Sequence, residues 1–204
     1  VIYGVVLNDR DERQALAQSF HESPHDRPPI APVVYIKPRL CATTGGASVP
    51  VPRAADELVV AATIGLLFGR DATCVAANDA MKFVDAACLA LEVSLPSPSY
   101  YRPAVAERCR DGFLPLGEFS SPRIPDAITT QIDGSDVHRW SLDRLVRSAG
   151  VLISDLSQFM TLCAGDVLLL GVAGDAPRAR AGNSVRVVAH GLPSIETSLR
   201  KVEA

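Results

Sequence analysis

The residues of this chain that could do chemistry fall into a few groups, and the most conspicuous is misleading. His21-Glu22-Ser23-Pro24-His25 has the letters of a zinc-protease helix, HExxH, in which two imidazoles on one helical face hold the metal and the glutamate acts as base. Pro24 breaks that geometry. Its ring disfavours helical dihedrals at Ser23, and Pro28-Pro29 follow at once, so the histidines are not expected to converge. The five cysteines, Cys41, Cys74, Cys88, Cys109 and Cys163, are odd in number and none has CxxC spacing, so ordinary thiols are expected rather than a disulfide framework or a zinc knuckle. Arg102, Arg108 and Arg110 crowd together beside Asp111. Guanidinium forks bind carboxylates at two points, so these arginines could hold a diacid, or equally form surface ion pairs. Glu12, Glu92 and Asp111 are the carboxylates that could move protons, although Asp111 before Gly112 could simply cap a turn and Glu12 could simply cap a helix.

Elements must position these groups. Val1 to Leu7 reads as a strand, and Asn8-Asp9 then opens a helix to about Phe20, with Asp9 and Glu12 at capping-box spacing. Ser23 to Pro32 must be a loop, Val33 to Ile36 a short strand, and Thr43 to Pro52 a further loop. Leu58 to Phe68 reads as a long central strand ending at Gly69. Asn78 to Ala87 is expected as a helix and Cys88 to Leu95 as a strand, before prolines 96, 98 and 103 force an extended connection. Ile128 to Ile132 ahead of Asp133-Gly134 carries a hairpin signal. Ser141 to Phe159 has apolar residues at three- and four-residue spacing, which predicts one long helix over about 141–159, with Ser141 as N-cap and Trp140 stapled onto Leu145. Val167 to Leu170 and Ser184 to Ala189 complete the tail as strands. The sum is a β-rich α+β domain, not an alternating βαβ chain.

With 204 residues and 48% hydrophobic content, one domain spanning 1–204 is expected. The longest apolar stretch is far short of the ~20 residues that cross a bilayer, and the first residues lack a basic leader, so a cytoplasmic location is expected. A net charge of −3 without long runs of one sign gives no footprint for nucleic acid or membrane. A small molecule or a protein is the expected partner.

Several segments, in order, resemble the fumarylacetoacetate hydrolase family: Ile36-Lys37-Pro38-Arg39, then Ala62 to Arg70, Val93-Ser94-Leu95-Pro96, Tyr100-Tyr101-Arg102-Pro103, Cys109 to Phe113 with Pro115-Leu116-Gly117, and finally Leu156 to Leu162 with Gly165-Asp166 and Val167 to Gly171. Each piece alone is weak; the ordered set covers nearly the whole chain. The Tyr-Tyr-Arg-Pro and Cys-Arg-Asp-Gly-Phe pieces point to the isomerase/decarboxylase branch of 4-hydroxyphenylacetate breakdown, whose enzyme carries two copies of the fold, the amino-terminal copy being the more similar. The resemblance implies a mixed β-sandwich roll, with 1–57 as the lid and amino-terminal part and 58–204 as the core. It also implies Mg2+ or a similar divalent ion held by a Glu-x-Glu pair and a later acid, which chelates a small 2-oxo diacid while a lid histidine and glutamate move protons.

This sequence departs from that pattern at the working positions. Ala61 and Thr63 fall where the two glutamates stand, and Glu92 falls on the later aspartate. Glu12 replaces the lid histidine and Ala15 the lid glutamate; Arg108 replaces a substrate-holding lysine, and Gly171-Val172 a Gly-Thr turn. One ligand of three is too few for a hard ion, so metal binding is expected to be weak or absent. Two functions are therefore open. The chain could be a partner subunit with little activity of its own, a homodimer or paired with a catalytic homologue. Alternatively it is itself an isomerase or decarboxylase of 2-oxo or 2-hydroxy-diene dicarboxylic acids, with Tyr101, Arg102 and Arg110 binding substrate and Glu12, Arg108 and Asp111 acting on it.

Overall fold

The computed structural model of the protein describes residues 1–23, 26–97 and 104–202. Among them the chain runs β1 (Ile2–Val6), α1 (Arg10–Ala15), β2 (Val33–Lys37), β3 (Ala42–Thr44), β4 (Val49–Val51), β5 (Leu58–Phe68), β6 (Val84–Ser94), α2 (Val105–Arg108), β7 (Leu114–Leu116), β8 (Ala127–Ile132), β9 (Ser135–Ser141), α3 (Ala149–Ser157), β10 (Val167–Leu169), β11 (Arg178–Ala179), β12 (Ser184–Ala189) and β13 (Leu192–Lys201), with short 3-10 turns between some of them. Strands dominate, as the α+β, β-rich reading requires. One sheet has the order β2-β1-β10-β5-β6-β7-β3, with β11 also pairing with β5; the other has the order β4-β13-β12-β8-β9.

β5 and β6 form the spine, two long antiparallel strands in which Ala61 lies opposite Glu92 and Thr63 opposite Ala90. Side chains alternate across a strand. Leu58, Val60, Ala62, Ile64, Leu66 and Phe68 therefore enter the core between the two sheets, where they meet Ile128, Val185, Val187, Ile195 and Leu199. Each fully buried aliphatic side chain stabilises by about 1.5–3 kcal/mol. Val59, Ala61 and Thr63 face the other way, beside Ser94, Glu92 and Ala90. An apolar run along both faces is what a strand covered on both sides demands, which is why β5 was readable.

Three helical expectations are corrected. The helix expected over 141–159 is only Ala149–Ser157, because Ser141 ends β9 and Leu142–Arg144 make a 3-10 turn. Residues 145–147 are held instead by Asn8. Its carbonyl accepts from the Val146 amide and its side-chain oxygen from the Arg147 amide, each at 2.9 Å, so those amides are not free for a helical ladder. Ser148, not Ser141, is the N-cap, and Trp140 is a buried strand residue rather than a staple. Likewise the helix from Asn8 to Phe20 shrinks to α1 and a 3-10 turn over Ser19–His21, and Asp9 makes no side-chain cap because its carboxylate is committed to Arg144 and to the Gly174 amide. Asn78 to Ala87 is not a helix either: Ala80–Phe83 form one 3-10 turn, and β6 then starts at Val84 to pair with Phe68. Strand β13 went unread, although Ile195, Thr197 and Leu199 alternate inward along it.

Candidate functional site

β1, β5, β6, α1 and α2 converge on a cleft of about 500 Å³ whose walls include Glu12, Ala15, Ala61, Ser94, Arg108 and Val172. Its volume lies within the range of small-molecule sites, about 300–1,000 Å³. The chain turns from β1 into α1 through Leu7, whose φ of 57° is a left-handed conformation that costs a bulky residue on the order of 1–2 kcal/mol. Asn8 fixes that turn, donating from its side chain to the Leu170 carbonyl at 2.7 Å and to the Arg147 carbonyl at 3.2 Å. Arg144 braces it from outside, with Nη2 2.5 Å from the fully buried Asp9 carboxylate, Nε 3.0 Å from Asp11 and Nη2 2.9 Å from Asp175. Asp9 holds the Arg144 guanidinium well above its ordinary pKa, with Asp175 adding to the effect.

That brace aims Glu12 into the cleft. Gly174 permits the approach, since a Cβ there would lie 2.5 Å from the Glu12 Cβ. Among the described residues the Glu12 Oε2 atom is buried without a hydrogen-bond partner. Burial pushes its carboxyl up to about 7; the positive field of Arg108 opposes the shift and Asp9 adds to it. The folded state thus binds this proton more tightly than the unfolded chain, whose glutamate titrates near 4.5. The associated stability is full below about 4.5 and is lost as pH rises through about 7. Between pH 5 and pH 8 the protein is therefore expected to lose about 2 kcal/mol that Glu12→Gln does not lose. Urea midpoints of the two proteins at both pH values measure the difference.

Glu92 tells a different story. It is 1% exposed and does not line the cleft. Its Oε1 atom accepts from the Tyr35 hydroxyl and from Arg108 Nη1 at 3.0 Å, and lies 3.7 Å from Lys37 Nζ. Lys37 is also buried, its ammonium donating to the Arg108 carbonyl at 2.7 Å, and burial pushes it down to about 8. Burial likewise pushes the Glu92 carboxyl up, against the pull of Arg108. Arg108 lines the cleft and Glu92 does not, so the carboxylate sits behind the guanidinium.

Thr63 donates from Oγ1 to the Gly171 carbonyl at 2.5 Å, and Gly171, at φ 114°, occupies backbone space that favours glycine. The slot beside Ala61 is thus closed by a hydroxyl tied to the main chain. Among the described residues no group of three or more His, Cys, Asp or Glu could hold a metal ion. A hard divalent ion needs about six oxygen ligands, and Glu92, the carboxylate opposite Ala61 on the β5–β6 face, is already held by Arg108 and Lys37. These residues do not fit Mg2+ or a similar ion.

Other candidates fall elsewhere. Arg110 is exposed, donates to the Ala106 carbonyl at 3.1 Å and lines a separate depression with Arg180 and Glu57. Asp111 is exposed and does not line the cleft. Tyr101 and Arg102 lie outside the described residues. Lys37 and Tyr35, which hold Glu92, were not singled out by sequence reasoning. Their signal was the two-residue period of β2, which turns Tyr35 and Lys37 inward together.

The profile of the fumarylacetoacetate (FAA) hydrolase C-terminal family matches residues 1–200. The chain belongs to the fumarylacetoacetate hydrolase family. Within this family it is 39% identical over 197 residues to the 4-hydroxyphenylacetate degradation bifunctional isomerase/decarboxylase of Escherichia coli, covering 96% of this chain and 46% of that protein. The chain thus spans about half the length of this relative and of two similar bifunctional isomerase/decarboxylases. A mitochondrial oxaloacetate tautomerase of Oryza sativa subsp. japonica, FAHD2, is 27% identical over 186 residues, covering 85% of this chain and 82% of the tautomerase. Among solved structures, 5-carboxymethyl-2-hydroxymuconate delta-isomerase from Mycobacterium smegmatis superposes with a TM-score of 0.81 at 20% identity, covering all of this chain and 79% of that one. Fumarylpyruvate hydrolase from Pseudomonas aeruginosa, solved with Mn2+ and pyruvate, superposes at 0.82 with 18% identity, covering 98% and 89%. These likenesses fix the family fold. No helix among the described residues is long and apolar enough to cross a membrane.

Proposed function

We propose that this chain is one half of a paired isomerase/decarboxylase of 4-hydroxyphenylacetate catabolism, the half whose own centre holds no ion, and that it works against a catalytic copy of the same fold. The observation that carries this reading is Glu92. The single surviving candidate ligand is neutralised by Arg108 and Lys37 instead of being presented to the cleft. Supporting it, the E. coli relative is about twice as long as the segment this chain matches. The test is metal-dependent decarboxylation by the purified chain alone, by a catalytic homologue alone and by the two mixed. Activity confined to samples containing the homologue is expected, and full turnover by the isolated chain would eliminate the reading.

A second reading is favoured by Glu12, a carboxyl titrating near neutrality beside Arg108. On this reading the chain itself shifts a proton along a 2-oxo or 2-hydroxy-diene diacid, Glu12 acting as base and Arg108 holding a carboxylate. Isomerisation by the isolated chain that survives EDTA and falls at least a hundredfold in Glu12→Gln would favour it over the first.

A further inference from the structure

Two cysteines that the sequence keeps far apart meet at the edge of the first sheet. Cys41 ends the 3-10 turn that leads into β3, and Cys109 is the C-cap of α2. The parallel pairing of Ala42 with Leu114, and the Gly112 amide donating to the Leu40 carbonyl at 2.9 Å, hold the two stretches of backbone side by side. Both side chains belong to one small apolar cluster with Leu114, and the two thiols hydrogen-bond to each other. Cys41 is fully buried, whereas Cys109 is half-buried, with its Sγ atom 3.7 Å from the Ile36 carbonyl. One sulfur is thus open to a small molecule from solvent, and the other is in place to meet what forms there. The Lys37 ammonium stands near both: burial pushes each thiol up, and the charge of Lys37 works against that shift.

We propose that Cys109 and Cys41 are a peroxide-reactive thiol pair that closes to a reversible disulfide, and that the bridge clamps the end of α2. The Cys109 thiolate attacks one peroxide oxygen; an S–O bond forms, the O–O bond breaks and the departing oxygen leaves as water after taking a proton. The Cys41 thiolate then attacks the resulting sulfenic sulfur, forming the S–S bond and releasing the second oxygen as water. Two thiols and one peroxide thus give one disulfide and two waters, the sulfurs losing the two electrons that the peroxide gains. Cys109 directly follows Arg108, so the bridge fastens the backbone that carries a guanidinium of the cleft wall. Nothing in this step depends on whether the cleft is catalytic or holds an ion, so it stands apart from the pairing reading.

The experiment treats the intact folded chain with hydrogen peroxide at about pH 8.5, where thiolate is more abundant, then denatures it in acid, alkylates it with N-ethylmaleimide and maps the peptides by mass spectrometry. The expected product joins the Cys41 and Cys109 peptides, two hydrogens lighter and unalkylated at both, and dithiothreitol restores both thiols. The exposed Cys74 and Cys163 should instead climb to sulfenic and sulfinic acids. Cys41→Ser should strand Cys109 as a sulfenic acid, giving roughly tenfold more dimedone adduct than the wild type. Should that variant not fold, the wild-type map decides alone. In the bridged chain, hydrogen exchange at the Arg108 and Cys109 amides, which donate to the Ala104 and Val105 carbonyls, should slow at least about tenfold and recover on reduction. A bridge that forms only when peroxide is added in urea, or Cys109 oxidised past the sulfenic acid while Cys41 stays a free thiol, would overturn the pair. Unchanged exchange in the bridged chain would overturn the clamp.

Discussion

Glu92→Ala is expected to destabilise the protein by about 3–5 kcal/mol, because it strands the ammonium of Lys37 inside the protein and strips Arg108 of the carboxylate it pairs with. For a chain of this length that corresponds to a fall in melting temperature on the order of 10 °C. The loss arises from the charges left behind rather than from the attraction removed. Replacing Glu92 and Lys37 together by leucine and methionine should therefore recover much of it, since two buried ions are traded for packing. Thermal melts of the single and double variants read the difference. A double variant no more stable than the single would show that the cluster is held by something other than charge compensation. Magnesium should shift none of these melting points.

Arg144→Ala carries the second large effect. Asp9 is fully buried, and without the guanidinium it keeps the Gly174 amide as a partner at 2.9 Å, so about 3 kcal/mol is expected to be lost. The consequence reaches the cleft. Asp9 immediately precedes α1, so a loosened brace lets water reach Glu12 and lowers its raised pKa. The extra loss of stability between pH 5 and pH 8 ascribed to Glu12 should shrink in this variant. Arg144→Lys should restore part of the stability but cannot reach Asp9, Asp11 and Asp175 together. Urea titrations at both pH values test each step, and an unchanged pH dependence in Arg144→Ala would show that α1 is positioned without the brace.

What could be read from the chain alone depended on how local the determining contacts are. β5 was legible from Leu58 to Phe68 because burial on both faces writes an unbroken apolar run, and the hairpin at Asp133-Gly134 because two residues dictate its turn. The ordered motifs matched Ala61, Thr63 and Glu92 to the family's ligand positions without saying how they meet, and the register of β5 with β6 sets Ala61 directly opposite Glu92. The helix over 141–159 was misread because its first half carries a helical period yet gives its backbone to Asn8, more than a hundred positions away in sequence. Glu12 was left open between a cap and a proton-moving group for the matching reason: its capping-box spacing to Asp9 is local, whereas the Arg144 contact that commits Asp9 elsewhere is not. Lys37 was quoted within a motif but given no role, since nothing near it in sequence announces the acid it faces.

The bond from Thr63 to the Gly171 carbonyl also bears on history. A glutamate introduced at 63 would bring carboxylate oxygens toward a carbonyl that now accepts a hydrogen bond, setting lone pair against lone pair where a hydroxyl now fits. Such a step is harmful until the neighbouring loop has moved, and a moved loop is of no use until the acid arrives. Restoring an acid at 63 therefore requires the side chain and the Gly171 backbone to change together, because the hydrogen bond between them couples the two.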